Sequence, residues 1–264
     1  MPSLGMSVPG TQEPLMEIAV LPSPEQIAQR AADAVEELLT ARPGAVLGTA
    51  TGSSPLPLYE ELARRCDAGR LSLAHATAFM LDEYVGLPEG HPERYHAFME
   101  RHLLAVTDLR ADHLHGPEAP AGAEDAVLNE ACRAYERSMA EAGYCDLQVL
   151  GIGSDGHIGF NEPGGPLDSR THVGLLAEQT RRDNARFFDG DVDAVPTRCL
   201  TQGLATIMEA RRLVLIATGE GKAQAIARMV DGPVTPELPA SVLQGHADAL
   251  VLLDPAAASL LVER

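Results

Sequence analysis

The chain has 264 residues, 20 of them Lys or Arg against 38 Asp or Glu, for a formal charge of −18, with 45% hydrophobic residues, 4% aromatic and no Trp. An acidic field of this size repels nucleic acid and anionic membrane, and no basic run with interleaved aromatics offsets it, so neither is expected as a partner. The length fits one large α/β unit, and a core made of Val, Leu, Ile and Ala suits buried parallel strands.

In chain order, residues 1–15 read as a disordered lead-in, polar and rich in Gly and Pro, without the apolar stretch of a secretion signal. Residues 16–264 read as a single α/β catalytic domain. A strand at 17–21 precedes a helix at 23–40 with Ser23 as its N-cap. A strand at 45–50 is followed by a helix at 56–68, and a strand at 76–81 by helices at 94–104 and 124–142. A strand at 146–151 leads into a glycine-rich turn. Helices at 180–188, 204–209 and 221–230 alternate with strands at 213–217 and 249–253. This rhythm predicts a mostly parallel, twisted sheet with helices on both faces, Rossmann-like in outline. Residues 119–122 and 232–239 read as surface loops, and 163–172 as a mobile one. His113 and His115 are expected to alternate on a short, exposed strand.

Ligands of open parallel sheets bind beyond the carboxyl ends of the strands, and here those ends carry unusual residues. The first ends in Thr51-Gly52-Ser53-Ser54-Pro55. Gly permits the turn, Pro55 suits the first helical position, and the helix start offers N–H groups to an anion. An ordinary Ser-capped turn fits the same residues. The second ends in Asp82-Glu83, behind an apolar run. A carboxylate there can take a proton from carbon, although a solvated loop acid is the plainer alternative.

The third end is the most specific: Gly151-Ile152-Gly153-Ser154-Asp155-Gly156-His157-Ile158-Gly159-Phe160-Asn161-Glu162-Pro163. Asp155 or Glu162 can orient His157 as a general acid/base by fixing its tautomer. A metal site and a purely structural glycine turn compete with that reading. No supporting His or Cys stands at ligand spacing, so no metal is expected. Arg186, and Lys222 between strand and helix, supply the positive charge that a phosphate needs within an acidic protein. Cys66, Cys132, Cys145 and Cys199 are scattered without a C-x-x-C pair, which fits reduced thiols in the cytoplasm. No apolar run approaches the roughly 18 residues of a membrane helix.

Together with Leu81-Asp82-Glu83-Tyr84-Val85-Gly86-Leu87-Pro88, Asp183-Asn184-Ala185-Arg186-Phe187-Phe188 and Gly219-Glu220-Gly221-Lys222, these stretches resemble the glucosamine-6-phosphate deaminase/isomerase family in order and spacing, from about residue 17 to the end. The resemblance implies a small phosphosugar substrate, no cofactor, and deamination of glucosamine-6-phosphate to fructose-6-phosphate and ammonia. By the same resemblance His157 acts in ring opening, with Asp155 and Glu162 orienting it. Asp82 moves a proton between C2 and C1. Thr51, Gly52, Ser53, Ser54, Arg186 and Lys222 hold the phosphate end. A lactonase-like or other phosphosugar enzyme, and a non-catalytic sugar-phosphate sensor, are the alternatives. One departure stands out. Allosterically activated members carry Arg and Lys after the Ser-Arg-Thr run and two serines after Asn-Glu-Pro. Here His172-Val173-Gly174 follow Ser169-Arg170-Thr171, and Gly165 and Pro166 replace the serines. Little activation by N-acetylglucosamine-6-phosphate is therefore expected, and oligomeric state, monomer or homo-oligomer, is left open.

Overall fold

The computed structural model describes residues 15–118 and 120–262. Its elements run β1 (Leu15–Val20), α1 (Pro24–Ala41), β2 (Val46–Thr49), α2 (Leu56–Asp67), β3 (Thr77–Met80), β4 (Asp82–Tyr84), α3 (Tyr95–Met99), β5 (Leu114–His115), α4 (Asp125–Ala142) and β6 (Leu147–Leu150). The chain continues through β7 (His172–Leu175), α5 (Glu178–Asn184), β8 (Arg198–Thr201), α6 (Leu204–Met208), β9 (Leu213–Ala217), α7 (Ala223–Asp231) and β10 (Asp248–Leu253). Leu15, assigned above to the lead-in, opens β1, and the rest of that lead-in lies outside the described residues.

Seven strands form one sheet in the order β1-β10-β9-β6-β2-β3-β5, every pair parallel. Residues of β9 are buried throughout, as expected of a strand covered on both faces. On α1, Ile27, Ala31, Val35 and Leu39 recur every four residues and are all buried, while Ser23 accepts from the Gln26 N–H as the N-cap. Strand order reverses between β2 and β6: β3 and β5 follow on one side, β9 and β10 on the other. That reversal opens a crevice at the carboxyl ends of the central strands.

A second, antiparallel sheet, β4-β8-β7, is absent from the sequence reading. Its strands have three or four residues each, too short for a period-two pattern to emerge. The sheet continues β3 through Leu81 and fixes the register of Asp82 against Thr201, which also pairs with His172. The segment 163–172, expected to be mobile, is tied down instead. Gly164 N–H donates to Pro236 O, Ser169 Oγ accepts from Leu204 N–H, and Thr171 donates twice to Glu136. His113 and His115 do not share a strand. His113 ends a 3₁₀ turn with Nδ1 2.9 Å from Ala76 O, and His115 lies in β5 against Phe79. The helix expected at 94–104 divides into α3 and a π turn at Glu100–Leu104. Pro55 caps α2 rather than entering it. Among the described residues no helix is long and apolar enough to cross a membrane, and all four cysteines are free.

Candidate active site

Four neighbouring strands, β9-β6-β2-β3, end at one cavity of about 360 Å³. β2 delivers Thr51, Gly52, Ser53 and Ser54; β3 leads through Leu81 to Asp82; β6 delivers His157; and the turn after β9 delivers Lys222. The 3₁₀ turn after α5 adds Arg186. Eight of the ten residues singled out in the sequence thus line the cavity. Asp155 and Glu162 stand behind His157.

The glycine turn after β6 is shaped around the imidazole. Gly153 N–H donates to His157 O at 2.9 Å, and a side chain on Gly153 would meet His157 Nδ1 at 2.2 Å and Asp155 Oδ1 at 2.6 Å. Only glycine leaves room there. His157 Nδ1 lies 2.7 Å from Asp155 Oδ1 and 3.9 Å from Glu162 Oε2. Burial pushes the Asp155 carboxyl up, but hydrogen bonding and charge attraction from His157 outweigh it and hold it below the usual value. An ionised Asp155 only accepts, so the ring proton resides on Nδ1 and Nε2 is left to exchange a proton. Glu162 accepts from Ala177 N–H at 3.0 Å and so caps α5, while its buried Oε2 has no hydrogen-bond partner. Asn161 is structural: its amide donates to Ile158 O and Gln202 O, folding the turn back.

The ligating atoms of Asp155, His157 and Glu162 all lie within 4.8 Å of one another, enough to offer a cation three donors. The 2.7 Å His–Asp contact is an N–H···O bond, and the arrangement suits proton relay better than ligation.

The acid pair of the second strand end divides its labour. Glu83 is 1% exposed and accepts from the Tyr84, Tyr95 and His96 N–H groups at 2.8, 3.0 and 3.0 Å, capping α3, with Arg94 Nε 3.6 Å away. Asp82 faces the cavity, is 5% exposed, and is pushed well above the usual carboxylate range by burial and by the neighbouring Glu83 charge. At the opposite end, burial and the Arg186 charge lower Lys222, against Asp183 and Asp155, which raise it. Among the described residues neither cation has a carboxylate within ion-pair distance, and neither Ser53 nor Ser54 has a protein partner for its hydroxyl. That end is set to receive an anion.

Tyr84, Tyr95, Thr180 and Asn184 also line the cavity and were not singled out. Thr180 is 2% exposed with an unpartnered hydroxyl. Nothing in its local sequence signals that, since only the fold carries α5 over the crevice. Tyr84 and Asn184 lie inside stretches already marked as unusual.

A family model described as glucosamine-6-phosphate isomerases/6-phosphogluconolactonase matches residues 23–252. A glucosamine-6-phosphate deaminase of Beutenbergia cavernae is 55% identical over 246 residues, 93% of this chain and 93% of its own length. The protein of the same name in Mycolicibacterium smegmatis is 54% identical over the same shares. A solved structure described as a monomeric glucosamine-6-phosphate deaminase superposes with a TM-score of 0.88 at 40% identity, covering 93% of this chain and 100% of that one. A 6-phosphogluconolactonase of Trypanosoma brucei shares the fold, with a TM-score of 0.75 at 22% identity over 96% and 100% of the two chains.

Proposed function

From this chain's membership of the glucosamine-6-phosphate isomerase/6-phosphogluconolactonase family, we infer that it is an enzyme converting glucosamine-6-phosphate and water to fructose-6-phosphate and ammonia. Its relatives at 50–55% identity carry the deaminase name, which favours this reaction over a lactonase. The observation that supports a mechanism is the convergence of a buried carboxylate, a carboxylate-held imidazole and two cations on one cavity.

Ser53, Ser54, Arg186 and Lys222 hold the phosphate, and the cavity seats the sugar between them and Asp82. His157 Nε2 exchanges a proton with the pyranose as the C1–O5 bond breaks, with Asp155 and Glu162 balancing the imidazolium. Asp82 then removes the C2 proton. The C–H electrons form the C1–C2 double bond, and the carbonyl electrons move to the C1 oxygen. A proton of the C2 ammonium passes to the C1 oxygen, and as Asp82 returns its proton to C1 the freed nitrogen lone pair forms the C2–N double bond of a ketimine, which water hydrolyses to the ketone and ammonia. The ammonium that the substrate carries on C2 favours the ionised form of a carboxyl whose hold on its proton is raised by burial and by the Glu83 charge. No step calls for a metal or organic cofactor. Four free thiols fit a cytoplasmic setting, and Arg170, engaged by Glu136 and Glu209, supports activity without an allosteric activator.

Release of ammonia from glucosamine-6-phosphate by the purified protein tests the reading. Galactosamine-6-phosphate and 6-phosphogluconolactone belong beside it. Hydrolysis of the lactone with no ammonia from the amino sugar would sink the assignment.

A further inference from the structure

Alternation along β4 places Tyr84 on the same face as Asp82, and both line the cavity. The Tyr84 ring is fixed by Tyr95, Phe160 and Phe188, with centroids 4.7, 5.5 and 5.9 Å away. Its oxygen accepts two hydrogen bonds, from Tyr95 Oη at 3.3 Å and Asn184 Nδ2 at 2.9 Å. Tyr84 Oη thus receives two donors, and the Tyr84 proton has no acceptor among the described residues. Burial pushes this phenol up, so it keeps its proton across the working range.

We propose that the Tyr84 O–H touches the substrate, donating a hydrogen bond to the oxygen on C1 while Asp82 removes the proton from C2. This rests on the deaminase reading. Removing a proton next to a carbonyl leaves charge on the carbonyl oxygen, and a fixed donor at that point acts only as the charge develops. Histidine 157 is committed to the ring, and Arg186 and Lys222 to the phosphate, so the C1 oxygen otherwise lacks a partner. The spacing fits. Two residues along a strand span roughly 7 Å, and a base on the C2 hydrogen and a donor on the C1 oxygen, each at hydrogen-bond reach, span about as much. The phenol gives a hydrogen bond and keeps its proton. The charge that proton removal by Asp82 places on the C1 oxygen is then met by a proton from the C2 ammonium, and the freed nitrogen lone pair drives protonation of C1.

The test compares wild type, Tyr84→Phe and Tyr95→Phe on glucosamine-6-phosphate with hydrogen or deuterium at C2. Tyr84→Phe is expected to lower kcat roughly 100-fold, with little change in KM and a larger deuterium effect. Tyr95→Phe, which keeps the Tyr84 O–H, is expected to lose far less. Near-wild-type kcat in Tyr84→Phe, or equal losses of kcat and Tm in the two variants, overturns the proposal. Should Phe not be tolerated at position 84, a fluorinated tyrosine placed there keeps the ring and acidifies the phenol. The rate must then acquire a new alkaline fall, and its absence overturns the proposal. A wild type that releases no ammonia would instead remove the deaminase reading itself.

Discussion

Asp82 and Glu83 are adjacent in the chain and face opposite ways: Asp82 opens into the cavity, and Glu83 turns onto the start of α3, where three N–H groups converge on it. Strand alternation separates the two carboxyls, and each then acquires the chemistry of its surroundings. Glu83→Ala leaves those buried donors unpaired and should cost about 1–3 kcal/mol for the lost acceptor. A Tm equal to wild type would show that Glu83 is not the cap.

Asp82 should trade stability for activity. In the folded chain it binds its proton more tightly than in the unfolded chain, because burial and Glu83 raise it. Its favourable contribution is therefore complete below the ordinary carboxyl value, about pH 4, and is lost as pH rises through the raised value. Asp82→Asn should abolish proton transfer, lowering kcat by about 1,000-fold or more. It should also raise Tm relative to wild type by an amount that grows from acid to neutral pH. A Tm difference that shrinks on the same path would contradict the burial argument.

The seven-stranded sheet was legible because its strands are apolar runs separated by amphipathic helices, and both patterns survive in β9 and α1. The small sheet was not. Gly174 and Cys199 sit against each other across β7 and β8, but no stretch of four residues announces a pairing made through Thr201 to Asp82. The site was legible where a turn demanded glycine, as at Gly153, and illegible where a residue acts by being carried over the crevice, as Thr180 is. Glu83 was read together with Asp82 because sequence shows adjacency and not facing.

His157 should matter most for the cyclic sugar. His157→Gln removes the exchangeable proton while keeping a polar side chain over Asp155, and should slow turnover of the pyranose roughly 100-fold. With ammonia present, the variant should still exchange a C1 proton of open-chain fructose-6-phosphate with solvent. Equal loss of both reactions would place His157 in the proton transfer between C2 and C1 instead.

Lys222 and Arg186 face the same end of the cavity without carboxylate partners in ion-pair range, and a phosphate would supply the missing charge. Each of Lys222→Ala and Arg186→Ala should raise KM about 10- to 100-fold, the value of a charged hydrogen bond, with a smaller change in kcat. Inorganic phosphate should raise the Tm of wild type and do so less in either variant. A kcat loss at constant KM would move these cations from binding to chemistry.

Activation by N-acetylglucosamine-6-phosphate should be weak or absent. The guanidinium of Arg170 lies 2.7 Å from Glu209 and 3.4 Å from Glu136, over the Tyr144 ring, and Glu136 also accepts from the Thr171 and Thr206 hydroxyls. An anion would have to displace these carboxylates to reach Arg170. Gly165 and Pro166 bring no hydroxyl to help it. The same bonds already anchor the start of β7, whose partner β8 sets the register of Asp82. Saturation with glucosamine-6-phosphate should therefore be hyperbolic and unchanged by the N-acetylated sugar. Sigmoidal kinetics relieved by that compound would show that this segment moves and that an effector holds it.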